Sequence, residues 1–182
     1  MEKLNIFIVE DESIVAKDIQ NNLIKLGYNV LGIANNGKDA IEQIKETNPD
    51  VVLMDIMIKG DLTGIEVAEQ VRKFVSVPVI YLTAYADEST LSRAKVTEPY
   101  GYILKPFKEI DLHSTIEMAV YKHQKDSALQ KERDFLYSLV ENKDGSQSDI
   151  LFVKANSRLV KVYLKDIYYV EALKDYVIIN TQ

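Results

Sequence analysis

Cysteine is absent from this chain. That excludes a disulfide framework, a thiol nucleophile and a thiolate metal site, and a reducing compartment, the cytoplasm, is the natural expectation. Long apolar runs are also missing. The best, Val77 to Ala86, is well short of the ~18–20 residues that a membrane-spanning helix requires. The brief apolar stretch behind Met1-Glu2-Lys3 ends in Glu10-Asp11-Glu12, unlike a secretory signal, so neither membrane association nor export is expected. Glycine and proline number only 7 and 4, which excludes fibrous and low-complexity classes.

What is present is globular in character: 182 residues, 47% hydrophobic and 27% charged, enough for one compact domain and a smaller second one. The net charge of −6 lies at the front, where residues 1–122 carry 13 basic and 19 acidic side chains. That balance argues against direct nucleic-acid binding by the first segment. Residues 150–182 carry 5 basic and 3 acidic side chains, which leaves it open for the tail.

Short β-branched runs alternate with helix-period segments over the first 120 or so residues, the pattern of a parallel sheet covered by helices. The strand candidates are Leu4–Val9, Val30–Ala34, Val51–Met54, Pro78–Leu82 and Tyr102–Leu104. Ile14, Val15, Ile19, Leu23 and Leu26 recur at helical spacing and end at Gly27, where a left-handed residue suits a helix C-terminus. Further helices fit 37–47, 64–74 and 87–96, and a fifth runs unbroken from about Lys108 to about Asn142. Its polar middle fits a solvated connecting helix, and its two apolar ends fit a dimeric coiled coil; both readings stand. Residues 123–149 are read as helical linker and loop. Beyond them, Ile150–Val153, Leu159–Leu164, Ile167–Val170 and Tyr176–Thr181 are strand candidates without helices between them. A β-rich segment this short is expected to be the first part of a domain, with the sequence ending inside it.

Ligands of open parallel α/β sheets bind beyond the carboxyl ends of the strands. There stand Glu10-Asp11-Glu12 after the first strand, Asp55 after the third, Thr83-Ala84 after the fourth and Lys105-Pro106 after the fifth. Each alone has an ordinary explanation: Glu12 complementing a helix dipole, Asp55 capping a turn, Thr83 bonding to backbone, Lys105 solvated. Together they are harder to dismiss, because carboxylates converging at one edge repel one another unless a cation neutralises them. Such oxygen ligands suit Mg²⁺. Zinc has little support, since His113 and His123 both fall on the last long helix and are expected to be ordinary surface residues. Asp55 is thereby a candidate nucleophile toward a phosphodonor. Lys105 supplies a second positive charge, and the Thr83 hydroxyl can donate to the phosphoryl group. The acids also argue against a flavin or nucleotide held by glycine-rich backbone amides.

Ile8-Val9-Glu10-Asp11-Glu12, Leu53-Met54-Asp55, Leu82-Thr83-Ala84 and Gly101-Tyr102-Ile103-Leu104-Lys105-Pro106-Phe107 occur in that order. Over residues 1–122 they resemble the receiver (CheY-like) domain of bacterial two-component response regulators. The resemblance implies a flavodoxin-like α/β fold, a doubly wound five-stranded parallel sheet of order 2-1-3-4-5, with Asp55 phosphorylated by a sensor histidine kinase. It implies that Asp11, Asp55 and the Met57 backbone carbonyl ligate Mg²⁺, with Glu10 acting through water. Lys105, Thr83 and Ala84 would contact the phosphoryl group, and the Lys105–Pro106 bond would be cis. Thr83 and Tyr102 would form a switch that makes the face of the fourth helix, fifth strand and fifth helix competent to form a homodimer. Two features depart from the usual pattern. Glu10 stands where Asp is commoner, and the loop from Met57 to Gly64 is one residue longer. Met57 and Tyr85 flank the site and are expected to tune the phosphoryl lifetime.

The tail, Phe152-Val153-Lys154 through Asp166-Ile167-Tyr168-Tyr169-Val170-Glu171-Ala172 and Asp175-Tyr176-Val177, resembles the beginning of a LytTR-type DNA-binding domain over 150–182. The resemblance implies DNA binding only through a complete domain, so no DNA-contact residue is assigned.

The leading reading is a phosphorylation-switched response regulator of transcription, a signalling phosphoacceptor rather than a turnover enzyme. An interaction module whose output is dimerisation through the long helix is the second. A Mg²⁺-dependent aspartyl phosphohydrolase of haloacid-dehalogenase type fits poorly: such enzymes want Asp-x-Asp-x-Thr/Val after the first strand, whereas Asp55 follows the third and Met57 replaces the second acid.

Overall fold

The computed structural model describes residues 3–84, 88–141, 150–155, 158–173 and 176–181. The chain divides into two compact units, Met1–Ala128 and Leu129–Gln182. In the first, β1 (Asn5–Val9), α1 (Ser13–Lys25), β2 (Asn29–Ala34), α2 (Gly37–Thr47), β3 (Val51–Asp55), α3 (Gly64–Val71), β4 (Val79–Thr83), α4 (Glu88–Val96) and β5 (Gly101–Leu104) follow one another. The helix α5 (Glu109–Glu141) closes this series and is 33 residues long. The sheet is parallel throughout, as the alternating sequence pattern predicts, and its order β2-β1-β3-β4-β5 is the one the resemblance implies.

Period-two alternation divides the core between the two faces of this sheet. Phe7 and Val9 of β1, Val52 and Met54 of β3, and Val79 and Tyr81 of β4 pack with Ala40 and Ile44 of α2, Val67 and Val71 of α3 and Ala94 of α4. The intervening Ile6, Ile8, Val51, Leu53, Ile80 and Leu82 pack with Ile19 and Leu23 of α1 and Leu112, Ile116 and Ala119 of α5. The central strands are buried on both sides, which is why they read as continuous apolar runs. Fully burying one such aliphatic side chain contributes about 1.5–3 kcal/mol.

Local chemistry sets the helix ends. Gly27 follows α1 at φ +89°, the left-handed conformation that favours glycine. Asn36 caps α2, its side chain accepting the Asp39 N–H at 3.0 Å. The Thr63 hydroxyl accepts the Glu66 N–H at 3.3 Å, and the Glu66 carboxylate accepts the Thr63 N–H at 2.7 Å, a reciprocal box that starts α3. At its other end α3 stops at Val71, shorter than the predicted 64–74. There Lys73 and Phe74 bond three residues back, to Gln70 and Val71, and the helix tightens into turns.

His113 and His123 are half-buried, which corrects their expected place on an open helix surface. The Tyr28 hydroxyl lies 2.7 Å from Nδ1 of His113 and donates to Glu117 at 2.9 Å. His123 bonds to Ser76 at 3.1 Å and meets the Tyr100 ring edge-on. Contacts of α5 with the connections before β4 and β5 therefore extend at least to His123.

The second unit holds the last part of α5, then β6 (Ile150–Ala155), β7 (Arg158–Tyr163) and the pair β8 (Ile167–Leu173) and β9 (Tyr176–Thr181). β6 pairs antiparallel with β7 and β8 with β9, so the four sequence-predicted tail strands all form.

The Thr63 backbone and hydroxyl bonds hold the Glu66 carboxyl below its ordinary range. A depressed carboxyl contributes stability above its unfolded pKa, and that contribution is lost as pH falls through the folded value. In thermal melts at neutral pH, Glu66→Gln is therefore expected to melt below the wild type. The gap should close as pH drops below about 4.5, the ordinary glutamate value.

Candidate functional site

The strand order makes β1 and β3 neighbours, so the residues after them meet at one sheet edge. Glu10 is buried at the end of β1, and Asp55 is buried as the last residue of β3. With Asp11 they gather three carboxylates whose nearest oxygens lie within 4.8 Å of one another. Lys105 reaches this cluster from the end of β5. Its Nζ donates to Glu10 Oε2 at 2.5 Å and to Asp55 Oδ2 at 2.7 Å. Its backbone N–H donates to the Thr83 carbonyl at 2.8 Å, which ties the end of β5 to the end of β4. The following Lys105–Pro106 bond is cis. Asp11 has a different counter-ion, the ammonium of Lys59 at 3.0 Å from Oδ2.

Burial pushes the Glu10 carboxyl above its usual range; the Lys105 hydrogen bond opposes this and the charge on Asp55 reinforces it. Burial alone would lower the Lys105 ammonium, but its bonds to Asp55 and Glu10 prevail and the net shift is upward. The ammonium thus stays charged among acids that need it.

The other predicted site residues fall around this cluster. The Met57 N–H donates to Asp55 Oδ1 at 3.0 Å, and its side chain is exposed. Thr83 is buried at the end of β4, and Ala84 directly after it is exposed. Tyr102 is half-buried on β5, with its ring 5.8 Å from that of Tyr81 and its buried hydroxyl without a hydrogen-bond partner among the described residues. Tyr85 lies outside the described residues.

Three features escaped sequence reasoning. Lys59 sits in a loop without periodicity, and only its position before Gly60 at φ +111° marks the turn that carries it. Gly64 reads as a helix-start glycine, yet a Cβ there would collide with the Asp55 carbonyl; its own N–H bonds to Ile56 at 3.0 Å. Tyr81 reads as core, and its ring is core, but its hydroxyl meets Thr97 Oγ1 at 2.8 Å. Thr97 Oγ1 also bonds to the Ala94 carbonyl at 2.8 Å, and Arg72 donates to the Thr97 carbonyl at 2.6 Å. These bonds tie the end of α4 to β4 and to the end of α3.

The donor set suits a small divalent cation. An octahedral shell of radius ~2.1 Å spaces its oxygens about 3–4 Å apart, and three carboxylate oxygens that all lie within 4.8 Å of one another can close to it by small side-chain movements. Among the described residues no other cluster of three such ligands occurs.

The family model described as the response regulator receiver domain matches residues 6–117. The transcriptional regulatory protein PdtaR of Mycobacterium tuberculosis is 33% identical over 128 residues, 70% of this chain and 62% of that protein. The match therefore spans less than two thirds of that relative's length. The signal receiver domain of a modulated diguanylate cyclase from Desulfovibrio desulfuricans G20 is 37% identical with a TM-score of 0.66, over 69% of this chain and 99% of that one. The receiver domain of sensor histidine kinase PA1611 from Pseudomonas aeruginosa PAO1, solved with a magnesium ion coordinated in its active site cleft, is 26% identical with a TM-score of 0.60. That match covers 65% of this chain and 98% of that one.

Replacing Thr97 by Val leaves the Tyr81 hydroxyl buried without its partner, whereas Tyr81→Phe removes the hydroxyl and leaves Thr97 its bond to Ala94. Denaturant unfolding is expected to show a loss of about 1–3 kcal/mol for Thr97→Val and only about 0.5–1.5 kcal/mol for Tyr81→Phe.

Proposed function

The chain belongs to the response regulator receiver domain family, and from that premise we propose that Asp55 is the phosphoacceptor of a two-component phosphorelay. The observation that carries this is the meeting of Asp55 with Lys105 at 2.7 Å beside two further carboxylates. A carboxylate oxygen of Asp55 attacks the phosphorus of a sensor kinase's phosphohistidine in line. The new O–P bond forms as the P–N bond breaks, and the imidazole keeps that electron pair. Asp11, Asp55 and the Met57 carbonyl would hold Mg²⁺, with Glu10 acting through water, and the ion would supply positive charge that screens these carboxylates from incoming phosphoryl oxygens. Lys105 exchanges its bond with the Asp55 carboxylate for one with the phosphoryl group, and Thr83 and Ala84 supply hydrogen-bond donors to that group.

Thr83 and Tyr102 then act as the switch, and the face of α4, β5 and α5 is the homodimer surface. Exposed Val96, Leu104, Met118 and Tyr121 on those elements support that assignment. The domain boundaries follow the sequence reading: receiver over 1–122, helical linker over 123–149 and a LytTR-like DNA-binding segment over 150–182. Four antiparallel strands and a basic balance in the tail support the last assignment. The relatives' names span a transcriptional regulator and a diguanylate cyclase, so output is the part tested separately.

Incubation with acetyl phosphate and Mg²⁺ is expected to add one phosphoryl group to the intact protein. The adduct should be missing with chelator and in Asp55→Asn, and intact-protein mass spectrometry reads both. An adduct of full yield in Asp55→Asn overturns the assignment. Selective binding of promoter DNA by the intact protein, tighter after phosphorylation, is expected for transcriptional output. Phosphorylation-dependent dimerisation without DNA binding would instead establish the interaction module.

A further inference from the structure

Resting on the reading of Asp11 as a ligand of the divalent cation, we propose that Lys59 is an internal counter-ion that competes with that cation for the Asp11 carboxylate. The Lys59 Nζ stands 3.0 Å from Asp11 Oδ2, and the two side chains differ sharply in exposure, 78% for Lys59 and 9% for Asp11. Asp11 is the member of the acidic cluster that Lys105 does not reach, since Lys105 pairs with Glu10 and Asp55. Two ammonium groups therefore answer three carboxylates, and one negative charge is left over.

That count changes when a divalent cation is added. Beside Lys105 alone, a cation of charge two balances the three carboxylates; with Lys59 still in place it leaves a surplus positive charge. Lys59 also occupies the carboxylate the cation must take, so charge and position both disfavour holding the two together.

Of the two lysines, Lys59 is built to leave. Lys105 is held by two carboxylates and by its backbone bond to Thr83, and its side chain is only 15% exposed. Lys59 has a long, solvated stem on a loop that turns at Gly60, φ +111°. An ion pair with one partner this solvated is weakened by screening, so the competition is a modest one, about two- to fivefold in cation affinity. It also fades as salt screens the Lys59 charge. Lys59 thus sets the cation concentration at which the site fills, and so at which Asp55 becomes ready to accept.

The test is calorimetric titration of the full chain with Mg²⁺ alone, at low and high ionic strength, for wild type, Lys59→Met, Lys59→Gln, Lys59→Arg and Asp11→Asn. Amide NMR spectra check that each variant is folded. Lys59→Met and Lys59→Gln are expected to bind Mg²⁺ about two- to fivefold more tightly than wild type at low salt, with the gain shrinking at high salt. Lys59→Arg should stay near wild type. Unchanged or weaker binding in both neutral variants, with binding abolished in Asp11→Asn, overturns the competition and leaves the cation site standing. Failure of the wild type to bind Mg²⁺ overturns both the competition and the reading of the site on which it rests.

Discussion

Repulsion among carboxylates crowded at one sheet edge is the constraint around which the first unit is arranged. Glu10 and Asp55 are both buried, and burial makes each negative charge costly unless a cation stands beside it. Lys105 supplies that cation from β5, across the intervening β4, and its backbone bond to Thr83 sets how far it reaches. The site thus depends on the register of four strands, β1, β3, β4 and β5, at once. A slip of β5 against β4 would withdraw the ammonium and leave two acids facing each other. Binding chemistry and sheet pairing are therefore parts of one energetic arrangement.

The packing behind the edge is simple by comparison. Alternate residues of β1, β3 and β4 serve opposite faces, and helices on both sides cover them. Polar ties are added where helices end: the Thr63–Glu66 box at the start of α3, and Thr97 with Tyr81 and Arg72 at the end of α4. The Cα of Gly64 comes so near the Asp55 carbonyl that no side chain fits. The start of α3 is pressed against the backbone of Asp55, and the loop between them has little freedom at that end.

Features set by periodicity and by strand ends could be read from the chain. The alternation of apolar runs with helical stripes gave the five parallel strands, and position just after a strand singled out Glu10, Asp55, Thr83 and Lys105. Gly27 marked the end of α1 because only its backbone conformation was at issue. Contacts between residues distant in sequence were not readable. The Lys59–Asp11 pair joins two loops, the Tyr81–Thr97 bond depends on where α4 ends, and His113 and His123 become half-buried through Tyr28, Ser76 and Tyr100. None of these leaves a local pattern, since each is decided by tertiary placement of a polar atom on an otherwise ordinary side chain.

Tyr102 presents the opposite case, a polar atom that folding has left without company. Among the described residues its buried hydroxyl has no hydrogen-bond partner. An unmet donor of this kind costs about 1–3 kcal/mol. Any rearrangement of the surrounding loops that offers it an acceptor, or turns it out to water, recovers that amount. At about 1.4 kcal/mol per tenfold, the recovery multiplies the population of such a state by about five to a hundred. A turn of the Tyr102 ring therefore starts with no hydrogen bond to break among the described residues, so that motion carries less polar cost than it would for a tyrosine whose hydroxyl is bonded.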